Sequence, residues 1–211
     1  MSDFSGTRLP DPADVLGFGL RLRAWREGDE SALLRGLSDA EFKRWNAPLV
    51  DVSTEAEAAL QIKQRAEGWR KGTMAHFCIT EDTGDGTEGP VLGSVGLGLL
   101  DLRLRTGRVG YWVLPEARGR GVAGRALELC SRWAFEEAGL HRIELGHALT
   151  HSASCRIAER CGYRYEGTLR GAMFEAVSRD AFRDAHLHAR LAADPWPVQD
   201  PPAVADRAEH S

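Results

Sequence analysis

Residues 108–127, RVGYWVLPEARGRGVAGRAL, pass from an apolar strand pattern through a glycine- and arginine-rich loop into a helical pattern. Gly119, Gly121 and Gly124 spell G-x-G-x-x-G, the pattern of a dinucleotide-binding turn. The surroundings argue against that reading. Pro115, Glu116, Ala117 and Arg118 separate the strand from the glycines, whereas a dinucleotide fold places them directly after it. Glu144 stands where a ribose-binding acid would be sought, but inside the alternating strand IELGHAL rather than at its end. The Gly-Lys-Ser or Gly-Lys-Thr ending of a nucleotide-hydrolysing loop is absent. There remains a loop whose glycines let backbone N–H groups approach a ligand. The helix that follows begins with unpaired donors and positive dipole potential, a combination suited to a pyrophosphate. Arg118, Arg120 and Arg125 add positive charge, and a plain turn with a solvated arginine face is the competing reading.

Outward from this loop, the chain alternates strand and helix patterns. LRLRAW at 20–25 alternates as a half-buried strand, and a short helix follows Gly28 and Asp29. Thr54 and Glu57 have the spacing of a capping box ahead of a helix carrying Ala58, Ile62 and Ala66 on one face and ending near Gly68 or Gly72. Strands follow at 74–80 and 91–102, then RVGYWVL itself, close enough to its predecessor for an antiparallel meander. After the loop, Val122, Ala126, Leu129, Cys130, Trp133 and Ala134 line one side of the longest helical pattern. HRIELGHAL is the next strand, with Glu144 on one face and His147 on the other. SASCRIAERCGY is a short helix closed near Gly162, and YRYEGTLR and AFRDAHLHARL are closing strands. The expected fold is α/β of the α+β kind: one domain over 17–193, with a mostly antiparallel sheet of roughly six or seven strands flanked by helices. Residues 1–16 read as a flexible leader and 194–211 as a tail, with Trp196 anchoring its first part.

At 211 residues, 43% hydrophobic and 27% charged, the chain suits one folded unit with a substantial core. A formal charge of -4 gives no global attraction for nucleic acid or anionic lipid. The opening MSDFSGTRLPDPADVLGFG has no basic region followed by an apolar stretch of export length, so the expected address is cytoplasmic, without a membrane partner. Cys78, Cys130, Cys155 and Cys161 lack CxxC spacing and read as small buried residues, with no metal expected.

Three blocks together, LRLRAWREGD, VGYWVLPEARGRGVAGRAL and SCRIAERCGYRYEGTLR, resemble the GNAT acetyltransferases. The closer likeness is to their ribosomal-protein N-terminal acetyltransferase group, over about residues 19–191. The family's loop pattern, Arg or Gln, two residues, Gly, one residue, then Gly or Ala, falls on Arg118, Gly121 and Ala123. The resemblance implies acetyl-CoA as donor, its pyrophosphate held by backbone donors across Gly119, Arg120, Gly121, Val122, Ala123 and Gly124. It also implies a splayed strand at GYWVL, with the amide around Val113 at the thioester carbonyl. Ser154 matches the serine that contacts the CoA sulfur and helps protonate the departing thiolate; a capping serine is the alternative reading.

Two departures from the family pattern bear on the acceptor. His151 stands where Asn is common, near the pantetheine arm. After EGTLR, Gly171, Ala172 and Met173 occupy the region where the group has a glutamate acting on the amine, leaving Glu175 as a displaced substitute. Glu144 is a candidate base, since a positioned carboxylate can end a proton relay, and His147 is another on the opposite strand face. Asp184 is expected to fix local structure. The resemblance implies acetyl transfer to a primary amine, with a protein or peptide N-terminus as acceptor. A small amine or antibiotic is the runner-up, and a weakly catalytic acyl-CoA-binding domain is the reading from another class. Strand edges and tryptophans would allow a homodimer.

Overall fold

The computed structural model describes residues 8–46, 51–174 and 181–197. Eight strands form one sheet in the order β1-β2-β3-β4-β5-β6-β8-β7. They are β1 (Val15–Gly17), β2 (Leu20–Ala24), β3 (Ala75–Asp82), β4 (Glu88–Asp101), β5 (Thr106–Val113), β6 (Arg142–Ala148), β7 (Arg164–Phe174) and β8 (Phe182–Leu191). Every neighbouring pair is antiparallel except β5 and β6. The helices are α1 (Glu30–Ser38), α2 (Ala40–Trp45), α3 (Glu55–Lys71), α4 (Val122–Glu136) and α5 (Ser152–Arg160).

Period-two burial divides the sheet into two working faces. Leu20, Leu22, Phe77, Ile79, Val95, Leu97, Val109, Ile143 and Leu145 point to one side, where they meet the buried stripe of α4. That stripe contains all six residues the helical period selects, Val122, Ala126, Leu129, Cys130, Trp133 and Ala134. Trp69, Phe77 and Trp133 meet with centroids 4.9 to 5.3 Å apart, each such side chain contributing roughly 1.5–3 kcal/mol by burial. On the opposite side, Trp25 and Cys78 pack with Leu33 of α1 and with Ala58 and Ile62 of α3. The capping box forms as the sequence predicts: Thr54 Oγ1 accepts from Glu57 N, and Glu57 Oε2 accepts from Thr54 N. Gly72, in the left-handed region at φ 70°, closes α3.

Two elements depart from the sequence reading. The eighth strand, β1, begins at Val15, inside the segment read as a leader, and turns into β2 through Phe18 and Gly19, both at positive φ. Such a two-residue turn is normally announced by Asn-Gly or Asp-Gly, so Phe-Gly gives no local signal. The turn is held from outside, Arg125 Nη1 donating to Phe18 O at 2.6 Å. The second is α2, which follows α1 immediately because Asp39 ends one helix and caps the next, accepting from Phe42 N at 3.0 Å.

The feature that positions the site is the single parallel pair. β5 and β6 are in register from Thr106↔Arg142 to Val109↔Leu145, and there the pairing ends. Beyond it β5 continues to pair only with β4, up to Gly93↔Val113, and β6 continues only with β8, up to Ala148↔Ala185. The two strands therefore diverge, and the ends of β5 and β6 face a cleft rather than each other.

Candidate active site

The cleft opens into a cavity of about 940 Å³. Tyr111, Trp112 and Val113 from β5, the loop from Ala117 to Arg125 apart from Arg120, Trp45 of α2, and His151 and Ser154 at the start of α5 all line it. A smaller chamber of about 60 Å³ lies against its inner end, sharing Trp45, Asn46, Tyr111, His151 and Ser154 and adding Gly110, Gly146, His147 and Met173. Every residue the sequence assigned to the donor lines the main cavity except Arg120.

The loop is built to expose main chain. A 3₁₀ turn at Pro115–Ala117 redirects the chain, Arg118 is extended, and Gly119 and Gly121 adopt φ of 73° and 71°. Gly121 occupies the N-cap of α4 with no side chain to accept from the first N–H groups, so these donors are left for a ligand. A Cβ added at Gly119, Gly121 or Gly124 would meet nothing within 4 Å, so these positions face open space. The donor set and helix dipole fit a pyrophosphate.

The arginines have separate tasks. Arg118 lines the cavity and pairs with Asp39; burial works against the Asp39 charge, but the Phe42 N–H and the Arg118 guanidinium hold its carboxyl below the ordinary value. Arg120 turns away to Glu81 at 2.8 Å. Arg125 Nη2 donates to Arg120 O at 3.3 Å, so its guanidinium joins the loop to the β1–β2 turn.

At the inner end, Ser154 is buried, and its Oγ lies 2.7 Å from the Tyr111 hydroxyl. Burial pushes the Tyr111 phenol up to about 12, against the opposing effect of the Ser154 hydrogen bond, so it keeps its proton at neutral pH. A phenol donating to Ser154 Oγ leaves the serine proton free to point into the cavity. His151 stacks on Trp45 with centroids 4.3 Å apart and an interplanar angle of 2°. Burial and then the neighbouring His147 lower its pKa from 6.5 to about 4, so it is a neutral imidazole at pH 7. Cys161 also lines the cavity, but its thiol donates to Gly124 O at 3.4 Å, and burial raises its pKa to about 12. It is a packed thiol rather than a nucleophile.

The structure does not bring Glu144 to this cavity. It lies on the sheet face opposite α4, between Arg108 at 3.3 Å and Arg142 at 3.2 Å, where it ties β5 to β6. His147, on the other face of β6, lines the small chamber, and Glu175 lies outside the described residues. Asp184 accepts from Gly171 N at 2.8 Å and shapes the β7–β8 irregularity. Tyr111 and Trp45 were not singled out by sequence reasoning. The former sat in plain view within GYWVL, but its partner is 43 residues away, and the latter belongs to the helix that the sequence reading missed.

The chain matches the family model of the acetyltransferase (GNAT) domain over residues 19–164. YdaF of Bacillus subtilis (strain 168), which carries the name of a ribosomal N-acetyltransferase, is 31% identical over 87 residues, 41% of this chain and 48% of YdaF. The ribosomal-protein-serine acetyltransferase of Escherichia coli (strain K12) is 26% identical over 104 residues, 49% of this chain and 56% of that protein. The matched stretch thus spans about half the length of these curated relatives. Among solved structures, Mycobacterium smegmatis RimJ in complex with CoA-disulfide superimposes with a TM-score of 0.72 at 26% identity, covering 82% of each chain.

Proposed function

Because the chain belongs to the acetyltransferase (GNAT) domain family, matched over residues 19–164, we propose that it moves an acetyl group from acetyl-CoA to a primary amine. The acceptor in this reading is the α-amine of a protein or peptide. The observation that carries it is the convergence of three things on one cavity: the uncapped loop, the diverging end of β5, and the Ser154–Tyr111 pair. The names of YdaF and of the Escherichia coli relative support the choice of acceptor.

Acetyl-CoA supplies the thioester to be attacked and the thiolate that leaves. The main chain from Gly119 to Gly124 holds the pyrophosphate through N–H donors. The β5 backbone past Val109 aligns the pantetheine arm, and Val113 is assigned to the thioester carbonyl, where a donor stabilises charge as it develops. Ser154, oriented by the Tyr111 hydroxyl, gives its Oγ proton to the departing sulfur and is reprotonated through water by the proton that the attacking nitrogen releases. His151, neutral and fixed by its stack on Trp45, accepts a hydrogen bond from the amine or from water in the chamber without being a strong base. The net charge of -4 fits an acceptor other than nucleic acid. No helix among the described residues is long and apolar enough to cross a membrane, which fits a cytoplasmic setting.

Incubation with acetyl-CoA and a library of peptides with free N-termini tests the proposal. The expected result is enzyme-dependent release of CoA thiol and one added acetyl group on the α-amine. Tight CoA binding with no transfer to any α-amine would remove the peptide acceptor. If a panel of small amines were also left unmodified, the chain would be an acyl-CoA-binding domain instead.

A further inference from the structure

Next to Ser154 in the chain, Cys155 turns toward a cluster of three histidines. His147 of β6 and His186 and His188 of β8 meet Cys155 of α5, and their nearest ligating atoms all lie within 4.8 Å of one another. Sheet register brings the histidines together: His147 is paired directly with His186, and His188 is two residues further along the same face. The His147 and His188 rings stack with centroids 5.3 Å apart, and Cys155 Sγ lies 3.6 Å from His188 Nε2.

The hydrogen bonds around the cluster point the lone pairs inward. His147 Nδ1 contacts Ala148 O at 2.9 Å, and His188 Nδ1 contacts Tyr163 O at 3.4 Å. A carbonyl only accepts, so each Nδ1 carries the proton and each Nε2 keeps its lone pair, that of His188 facing Cys155 Sγ, the second-layer arrangement common to metal-binding imidazoles. Among the described residues, His147 Nε2 and His186 Nδ1 are buried with no hydrogen-bond partner. Folded interiors rarely leave such atoms unsatisfied, and His147 is only 5% exposed. Packing alone explains the rings but not the unpaired nitrogens.

We propose that His147, Cys155, His186 and His188 bind a single transition-metal ion of the zinc class, Zn(II) by preference, in a closed tetrahedral site that ties α5 to β6 and β8. Three imidazoles and a thiolate suit zinc and are wrong for Mg(II) or Ca(II), which take oxygen ligands. Tetrahedral zinc with bonds of ~2.3 Å to sulfur and ~2.1 Å to nitrogen separates S from N by ~3.6 Å, the separation found between Cys155 and His188. The ligating atoms all lie within 4.8 Å of one another, so each pair is at most about 1 Å wider than this tetrahedral spacing. On binding, the Cys155 thiol loses its proton to solvent as the sulfur–metal bond forms. Cys155 and His186 are only half-buried, which gives the ion a route in from solvent. With four protein ligands the ion has no open position, so it holds α5, and with it Ser154, rather than taking part in acetyl transfer.

The test uses the untagged full chain, freed of metal by a chelator and titrated with Co(II) as a spectroscopic stand-in for zinc. The expected result is saturation at about one Co(II) per chain, with a tetrahedral visible spectrum and a sulfur-to-cobalt charge-transfer band that Zn(II) displaces. Cys155→Ser loses the charge-transfer band, Cys161→Ser keeps it, and His186→Asn weakens Zn(II) binding by at least ~10-fold. Zinc raises the Tm of the parent protein and not that of Cys155→Ser, with circular dichroism confirming that the variant folds. Absence of Co(II) binding, a band that survives in Cys155→Ser, or His186→Asn binding zinc as tightly as the parent would each overturn the site. These readouts need no catalysis, so the metal site and the acetyl-transfer reading fail independently.

Discussion

At the scale of single residues, the inner end of the cleft rests on a hydroxyl pair. Ser154→Ala is expected to lower kcat by ~100-fold while leaving the KM for acetyl-CoA within a few-fold, because general-acid help acts on the transition state. Tyr111→Phe keeps the ring and loses only the 2.7 Å contact, so it is expected to give a smaller loss of the same kind in steady-state kinetics. Equal kcat for Ser154→Ala and the parent would end the assignment. His151 carries a stability prediction. Its pKa is near 4 in the folded protein against an ordinary 6.5, chiefly through burial. Between those values the unfolded chain binds more protons, so the stability contributed by the neutral imidazole is intact above about 6.5 and lost as pH falls toward 4. Thermal unfolding of His151→Asn is therefore expected to depend less on pH across this window than that of the parent, and identical slopes would contradict it. The place of Ser154 on the cavity was legible because it sits in a recognisable block. Tyr111 was not, because a contact made by folding leaves no mark on local spacing. Glu144 shows the reverse: a carboxylate at a promising sequence distance ends up between two arginines on the wrong face.

Among the elements, α3 and α4 begin in opposite ways, and the difference separates stability from binding. α3 satisfies its own first donors through Thr54 and Glu57, whereas α4 leaves its own open behind Gly121. Thr54→Ala is expected to cost ~1 kcal/mol in chemical denaturation with no change in KM for acetyl-CoA. Gly121→Ala is expected to cost ~1 kcal/mol or more, since alanine is strained at φ 71°. It also raises that KM, because relief of the strain moves the N–H groups. Calorimetric CoA affinity unchanged in Gly121→Ala would show that the loop binds elsewhere. The capping box and the stripe on α4 were readable because both are written in spacing along one element. β1 and α2 were not, since the Phe18-Gly19 turn is held by Arg125 from a distant loop and α2 is too short to show a period.

For the molecule as a whole, the first part of the C-terminal segment is fastened to the core by Trp196. Its ring lies 4.2 Å from the Arg132 guanidinium and 3.8 Å from that of Arg190, and 6.2 Å from the Phe135 ring. Arg190 is fully buried and donates to Cys161 O at 2.6 Å beside the α5 terminus. Trp196→Ala is expected to destabilise the protein by ~2 kcal/mol in urea unfolding, because it removes the ring that lies against the Arg132 and Arg190 guanidinium groups. A variant as stable as the parent would show the contact to be incidental. The overall architecture was readable from the order of strand and helix patterns. The histidine and cysteine cluster was hidden, since β6, α5 and β8 supply its members and only register unites them. The early end of the β5–β6 ladder has an evolutionary consequence. In the proposed reading the pantetheine arm runs along the main chain of β5, which every amino acid supplies alike, so substitutions on that strand, unlike those at the positive-φ glycines of the loop, leave CoA binding largely intact. The facing wall is made of Trp45, His151 and Met173, each replaceable by a single codon change. A lineage built on this scaffold can therefore exchange one acceptor for another while inheriting its donor unchanged.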